Sequence, residues 1–293
     1  MGNGRYSHDS WAATSSARST KSRAEIFTQR SIHEMFDPKK IVIRESMDSP
    51  DNPLSNPIMF VMDVTGSMLH IPDYMARIGI GQLVKNILEK QPVSDPHILV
   101  GALGDVQARD TAPLQMAQFE ADNRIDEQLV NLYLESGGGG NETESYDLPW
   151  AFAALKTKTD AWDKRGKKGY LFTVGDEPAP HRQHTADQLR RSLGTADCPA
   201  TSEEMLKMAQ ERWTIFHLVI EEGSRGTSAR TQSSWKEMLG PNALFVNDYK
   251  QIPSIIPAVI AVAEGKMSIQ DAISEAGEAK AALSYTFSRL QEG

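Results

Sequence analysis

Five near-continuous apolar runs punctuate the chain: PIMFVMD (57–63), HILVGALGD (97–105), GYLFTVGD (169–176), TIFHLVIEE (214–222) and ALFVND (243–248). Runs of this length without polar alternation suit strands buried on both faces. Between them, residues 73–90, 124–134, 146–158, 185–193 with 202–213, and 227–239 have helical character. Strand and helix alternating in this way predict an α/β fold, a doubly wound and mainly parallel sheet with helices on both faces. The shorter run 114–119 reads as an antiparallel edge strand hairpinned to the second strand.

The two ends follow other patterns. Residues 1–30 hold nine Ser/Thr but few large apolar groups, with five Lys/Arg against two Asp/Glu, which reads as an arm lying over another surface. MDSPDNPLSNP (47–57) has three prolines in a polar run and reads as the loop into the core. Residues 267–290 place Ile269, Ala272, Ala276, Ala279, Leu283, Phe287 and Leu290 at spacings of three or four, predicting one amphipathic helix. The division expected is an arm and linker (1–56), a main domain (57–266) and a C-terminal helix (267–293). The helix packs on its own domain or, like the arm, serves self-association.

Composition narrows the function. With 293 residues, 40% hydrophobic, the chain can bury a sizeable core, which excludes wholesale disorder and fibrous classes. A net charge of −8 argues against a protein whose first task is neutralising nucleic-acid phosphates. The basic stretch Lys164-Arg165-Gly166-Lys167-Lys168 precedes a buried strand and reads as a solvated helix end. The longest apolar stretch, 252–263, is interrupted by Pro253 and Pro257 and falls short of a membrane span, so no membrane partner is expected. Cys198 is the only cysteine and MGNGRYSHDS has no apolar signal region, so a reducing, cytoplasmic setting is expected.

All five strand runs end in acids: Asp63, Asp105, Asp176, Glu221 with Glu222, and Asp248. Taken singly, each reads as a strand terminator or a helix N-cap. In open parallel sheets, however, ligands bind outside the carboxyl ends of the strands, and carboxylates gathered there without matching Lys or Arg in the same loops call for a cation. The first loop is more specific. Asp63-Val64-Thr65-Gly66-Ser67 offers one carboxylate and two hydroxyls in alternation, an all-oxygen set suited to a hard divalent cation such as Mg²⁺, with Mn²⁺ or Ca²⁺ as alternatives. Thr65 or Ser67 could instead cap the following helix.

These residues carry a resemblance. PIMFVMDVTGSM resembles the first segment of the metal-ion-dependent adhesion site (MIDAS) of von Willebrand factor A domains, D-x-S-x-S, commonly with Thr at its first hydroxyl position. LFTVGDEPAPH resembles the third segment of that site, most closely in the alpha-kinase-associated type, although no kinase domain follows here. The resemblance spans roughly residues 57–250 and implies a Rossmann-like A-domain fold with Asp63, Thr65, Ser67 and Asp176 as metal ligands. The second segment departs from the pattern. Its Gly-rich loop, SGGGGNETES (136–145), makes Thr143 the first choice for the remaining ligand, with Asn141, Glu144 and Asp105 as alternatives.

In that family a partner's acidic residue completes the coordination. The function expected from the resemblance is therefore a metal-dependent protein-binding module gripping a partner that presents Asp or Glu. Two other readings stay open. One is a metal-dependent hydrolase resembling phosphoesterases, with His70 or His181 as its base; the other is a structural component of a phage or other large assembly. His181-x-x-His184 is too sparse for a zinc site, and no G-x-S-x-G, Walker or G-x-G-x-x-G pattern is present. No enzyme activity is expected. A bacterial or phage-encoded protein, with virion association as an option, fits the composition.

Overall fold

The computed structural model describes residues 5–135 and 143–289. Its strands are β1 (Arg44–Ser46), β2 (Asn56–Asp63), β3 (Pro96–Leu103), β4 (Leu114–Met116), β5 (Thr157–Thr159), β6 (Gly169–Gly175), β7 (Trp213–Ile220) and β8 (Ala243–Val246). Six of them form one sheet in the order β4-β3-β2-β6-β7-β8, in which all pairs are parallel except the hairpin β3-β4. The chain moves outward from β2 to β3 and β4, then returns to lay β6, β7 and β8 on the other side of β2. Strand order therefore reverses between β2 and β6, which places a crevice at their carboxyl ends.

Alternation within β2 serves two cores. Ile58, Phe60 and Met62 face one layer, with Ile71, Leu83 and Ile256; Met59 and Val61 face the other, with Trp150, Met205 and Trp235. The first layer contains helices Ile80–Lys90, Arg124–Val130 and Ile252–Ala263, and the second Asp147–Leu155, Ser202–Gln210 and Ala229–Leu239. This is the α/β architecture expected from the alternating pattern.

Helix Ile252–Ala263 forms through both prolines that break the apolar run in sequence. Pro253 sits in the first turn, where no N–H is needed. Pro257 cannot donate to the Pro253 carbonyl one turn back, and Asn86 Nδ2 donates to that oxygen instead, at 2.9 Å. Among the described residues, no helix is long and apolar enough to cross a membrane.

The tail differs from the single helix predicted. It consists of two α-helices, Ile269–Ser274 and Lys280–Ser288, joined through a 3-10 turn, Gly277–Ala279, whose first residue has a φ of 55°, outside the α-helical range; Leu290 lies outside the described residues. The second helix packs on β8 at the sheet edge. Thr286 Oγ1 donates to the Phe245 carbonyl at 2.8 Å, and the Arg289 guanidinium stacks 4.8 Å above the Phe245 ring.

The arm lies on the first layer. Trp11 of helix His8–Arg18 rests against Gly81, where even a methyl group would press on the indole. Arg18 Nη1 donates to Asp126 at 2.6 Å and to the Ala76 carbonyl at 2.8 Å, and the Tyr6 hydroxyl donates to the Glu120 carbonyl. Beyond that helix, Phe36 joins the same core, and β1 pairs in parallel with β5 as a separate two-stranded ribbon.

Candidate metal centre

Asp63 is the last residue of β2 and is fully buried. The sequence turns sharply after it. The Asp63 Oδ1 atom accepts both the Thr65 amide, at 2.8 Å, and the Thr65 hydroxyl, at 2.6 Å, in the manner of an Asx turn. Its Oδ2 accepts the Tyr146 hydroxyl at 3.1 Å. Gly66 and Ser67 then surface at the crest of the loop, and the chain enters helix His70–Tyr74, which continues through a π-helical turn, Met75–Gly79, into Ile80–Lys90.

Asp176 follows β6, the parallel neighbour of β2, and so arrives beside the same loop. Ser67 Oγ donates to Asp176 Oδ1 at 3.3 Å. The reversal of strand order thus brings together four predicted residues, Asp63, Thr65, Ser67 and Asp176. Asp63 and Asp176 are buried, while Ser67 is exposed at the mouth.

The second segment contributes differently from the sequence expectation. Thr143, the first choice there, is half-buried, and Asn141 lies in 136–142, outside the described residues. Glu144 is the group turned inward: it is buried, and its Oε2 has no hydrogen-bond partner among the described residues. Asp105 is committed elsewhere. Arg182 Nη1 reaches it at 2.6 Å, and Ser145 Oγ and the amides of Gln107 and Ala108 donate to the same carboxylate.

Electrostatics follow from this burial. Burial is the main cause that lifts the Asp63 carboxyl to about 7; neighbouring Asp176 adds to it, and the bonds from Thr65 and Tyr146 oppose it. Glu144 goes up to about 10, first through burial and then through the charges of Asp63, Asp105, Asp110 and Glu177. Asp176 is raised by burial, against the pull of Arg225, Ser67 and His70. Three carboxyls resisting ionisation in one crevice are what a divalent cation would relieve. Among the described residues, no three His, Cys, Asp or Glu side chains gather tightly enough to hold a metal by themselves, so a cation here would also need the hydroxyls of Thr65 and Ser67.

Tyr146 escaped the sequence reading. Its hydroxyl fits over Gly175, where a Cβ would overlap it, and it also accepts the Glu177 amide. Its ring is wedged edge-on between His217, 4.7 Å away, and Trp235, 5.4 Å away, which stack on each other at 3.6 Å. The signals for it were a tyrosine directly after the Gly-rich segment and a glycine before Asp176. Two loop arginines also correct the expectation of an acidic end without cations. Arg182 pairs with Asp105, and Arg225 pairs with Glu177.

The histidines of these loops are tied to other groups. His70 Nδ1 donates to the Ser67 carbonyl at 3.0 Å and its ring meets Tyr249 edge-on, while Nε2 is buried without a partner. His181 pairs with Glu203 at the surface, and His184 Nε2 is bound to the buried Asp147, which also accepts Ser202 Oγ.

No family model matches the sequence, and no curated protein matches it. Among solved structures, the chain is similar to the open conformation of the pilus adhesin SpaC from Lactobacillus rhamnosus GG, with a TM-score of 0.47 and 8% identity over 75% of this chain and 30% of that one. It is similar to proximal thread matrix protein 1 from the mussel byssus, with a TM-score of 0.42 and 12% identity over 72% of this chain and 46% of that one. An aerotolerance-related membrane protein from Bacteroides fragilis NCTC 9343 is similar at a TM-score of 0.40 and 12% identity, over 72% of this chain and all of that one. The chain spans less than a third of the length of the pilus adhesin.

Proposed function

We propose that this chain is a metal-dependent protein-binding module of the von Willebrand factor A type, in which a divalent cation held by Asp63, Thr65, Ser67 and Asp176 grips an acidic side chain of a partner. The observation that carries the reading is the Glu144 carboxyl, buried near Asp63 with an oxygen that no described residue satisfies. Unpaired buried carboxyls are costly, and a cation in the crevice would answer Glu144, Asp63 and Asp176 together. The donor set is oxygen throughout, which suits Mg²⁺, Mn²⁺ or Ca²⁺. Glu144 would face the cation through its charge, outside the set of direct ligands, which Thr143 completes in the sequence reading.

When bound, the cation supplies a positive charge at the mouth that an outside carboxylate can meet. The chain's own part is to hold the ligands still. Thr65 and Tyr146 fix both oxygens of Asp63, and Ser67 at the crest is open to a partner. Binding is preferred over hydrolysis because a base must reach a water in the crevice, whereas His70 spends Nδ1 on the Ser67 carbonyl and buries Nε2, and His181 faces Glu203. The test is calorimetric titration of Mg²⁺ and Mn²⁺ into wild type and Asp63→Ala, with a pull-down in the presence and absence of chelator. Equal metal affinity in both chains would overturn the site, and metal-stimulated phosphoester turnover lost in both Asp63→Ala and His70→Ala would make it an enzyme.

A further inference from the structure

The loop after β7 holds one cation over the rim of the crevice. Gly226 packs so close to the Ile220 carbonyl that any side chain would collide with it, and Gly223 has a φ of 142°. The turn between them is tied by the Ser228 amide to the Arg225 carbonyl, at 3.0 Å, and by Thr227 Oγ1 to the Gly223 carbonyl, at 2.8 Å. This tight turn projects Arg225. Its Nη1 is paired with Glu177, the residue after Asp176, and half of its side chain stays open to solvent.

Glu177 is a firm anchor for it. It is buried, its carbonyl accepts Trp235 Nε1 at 2.9 Å, and its amide donates to the Tyr146 hydroxyl. The acids earlier in the same loop are turned elsewhere. Glu221 accepts from Tyr285 and Gln232, both at 2.6 Å, and Glu222 accepts the Tyr249 amide at 2.8 Å. Arg225 therefore presents its charge at the crevice without a competing carboxylate from its own loop.

A guanidinium that served only to neutralise Glu177 would gain most by burying its fork against it. Here one N–H is engaged and the plane remains accessible, which is the state of a group that can take a second carboxylate. We infer that Arg225 is a second anchor beside the metal position, so that the module selects partner segments carrying two neighbouring acidic residues, one for the cation and one for the guanidinium. This rests on the reading of the crevice as a metal-dependent carboxylate grip.

The experiment uses the full chain with saturating Mn²⁺ and two kinds of short capped peptide, one with a single Asp among glycines and a series with a second Asp one, two or three residues away. Binding is measured for wild type, Arg225→Gln and Arg225→Lys, with a Mn²⁺ titration of each chain to verify that the cation is held. The expected result is that the best two-acid peptide binds wild type about threefold to fivefold more tightly than the one-acid peptide, as for a half-exposed ion pair. The preference should vanish in Arg225→Gln, return in part in Arg225→Lys, and shrink with added salt. Equal binding of one-acid and two-acid peptides to wild type would overturn the second anchor alone, as would Arg225→Gln weakening both peptides equally. If no peptide binds a chain that holds Mn²⁺, the carboxylate grip itself fails, and the second anchor with it.

Discussion

Replacing Glu144 by Gln should free the metal-free chain from a loss of stability at alkaline pH. Its carboxyl has an ordinary value of 4.5 and reaches about 10 in the folded protein, because it is buried among Asp63, Asp105, Asp110 and Glu177. Between those two values the folded chain holds a proton that the unfolded chain has released. Stability therefore falls as pH rises through that window, by up to about 1.4 kcal/mol per pH unit for one proton. From about pH 7 to about pH 8.5 the wild-type chain should lose roughly 2 kcal/mol, a visible share of a typical total of about 5–15 kcal/mol.

The window isolates this group. His97 goes down to about 4 and His217 well below its ordinary value, both through burial, so they add stability as pH rises, nearly all of it below about pH 7, since the unfolded imidazoles are half titrated at about 6.5. Asp63, at about 7, has imposed most of its penalty by then. Cys198, raised by burial to about 11, matters only above the window. The assay is urea denaturation with chelator present, at several pH values, for wild type and Glu144→Gln. The amide keeps the shape and cannot ionise, so its stability should stay level. Mg²⁺ at about 100 times its Kd should add about 2.7 kcal/mol to wild type, and more at the alkaline end, where displacing the Glu144 proton costs less. Parallel slopes in the two chains would refute the reasoning.

Three further outcomes are expected. Asp63→Ala should abolish calorimetric Mg²⁺ and Mn²⁺ binding while near-ultraviolet circular dichroism keeps the wild-type signature, since the residue ends a strand and fills no core. Gly175→Ala should force the Tyr146 hydroxyl off Asp63 and cost about 1–3 kcal/mol by overpacking; Tyr146→Phe, which keeps the ring, should cost about 1 kcal/mol and weaken metal binding less than Asp63→Ala, both read by urea melts and titration. Trp11→Ala should detach the arm from Gly81, so that limited trypsin cleavage near Arg18 and Lys21 quickens by about tenfold or more, because local opening becomes easier by about 1.4 kcal/mol; an unchanged cleavage rate would mean that Arg18 and Tyr6 suffice to hold it.

Most of the sheet was legible because buried parallel strands leave long unbroken apolar runs, and all five long runs became strands within one or two residues of their expected ends. The hairpin strand β4 was also legible, from its brevity beside β3. The helix at 252–263 was not, because whether Pro257 can be tolerated depends on Asn86, some 170 residues away in the chain. The break at Gly277 was hidden by apolar spacings that continue across it. At the site, Asp63, Thr65, Ser67 and Asp176 were legible because the first three are local in sequence and the fourth follows from strand order. Glu144 was harder to rank, since burial and not residue type separates it from Thr143. Tyr146, Arg182 and Arg225 were illegible because each reaches its acid from a different loop, and only three-dimensional neighbourhood links them.

The helix Lys280–Ser288 has a bearing on how the chain behaves in company. β8 is the last strand of the sheet, and its outward-facing backbone would offer a template for pairing with another chain. Thr286 occupies the outward Phe245 carbonyl and Arg289 roofs the same residue. Shortening the protein before this helix would thus open a strand edge to aggregation together with the core that Leu283 and Phe287 fill, and a truncated form that precipitated would say nothing against the proposed metal site.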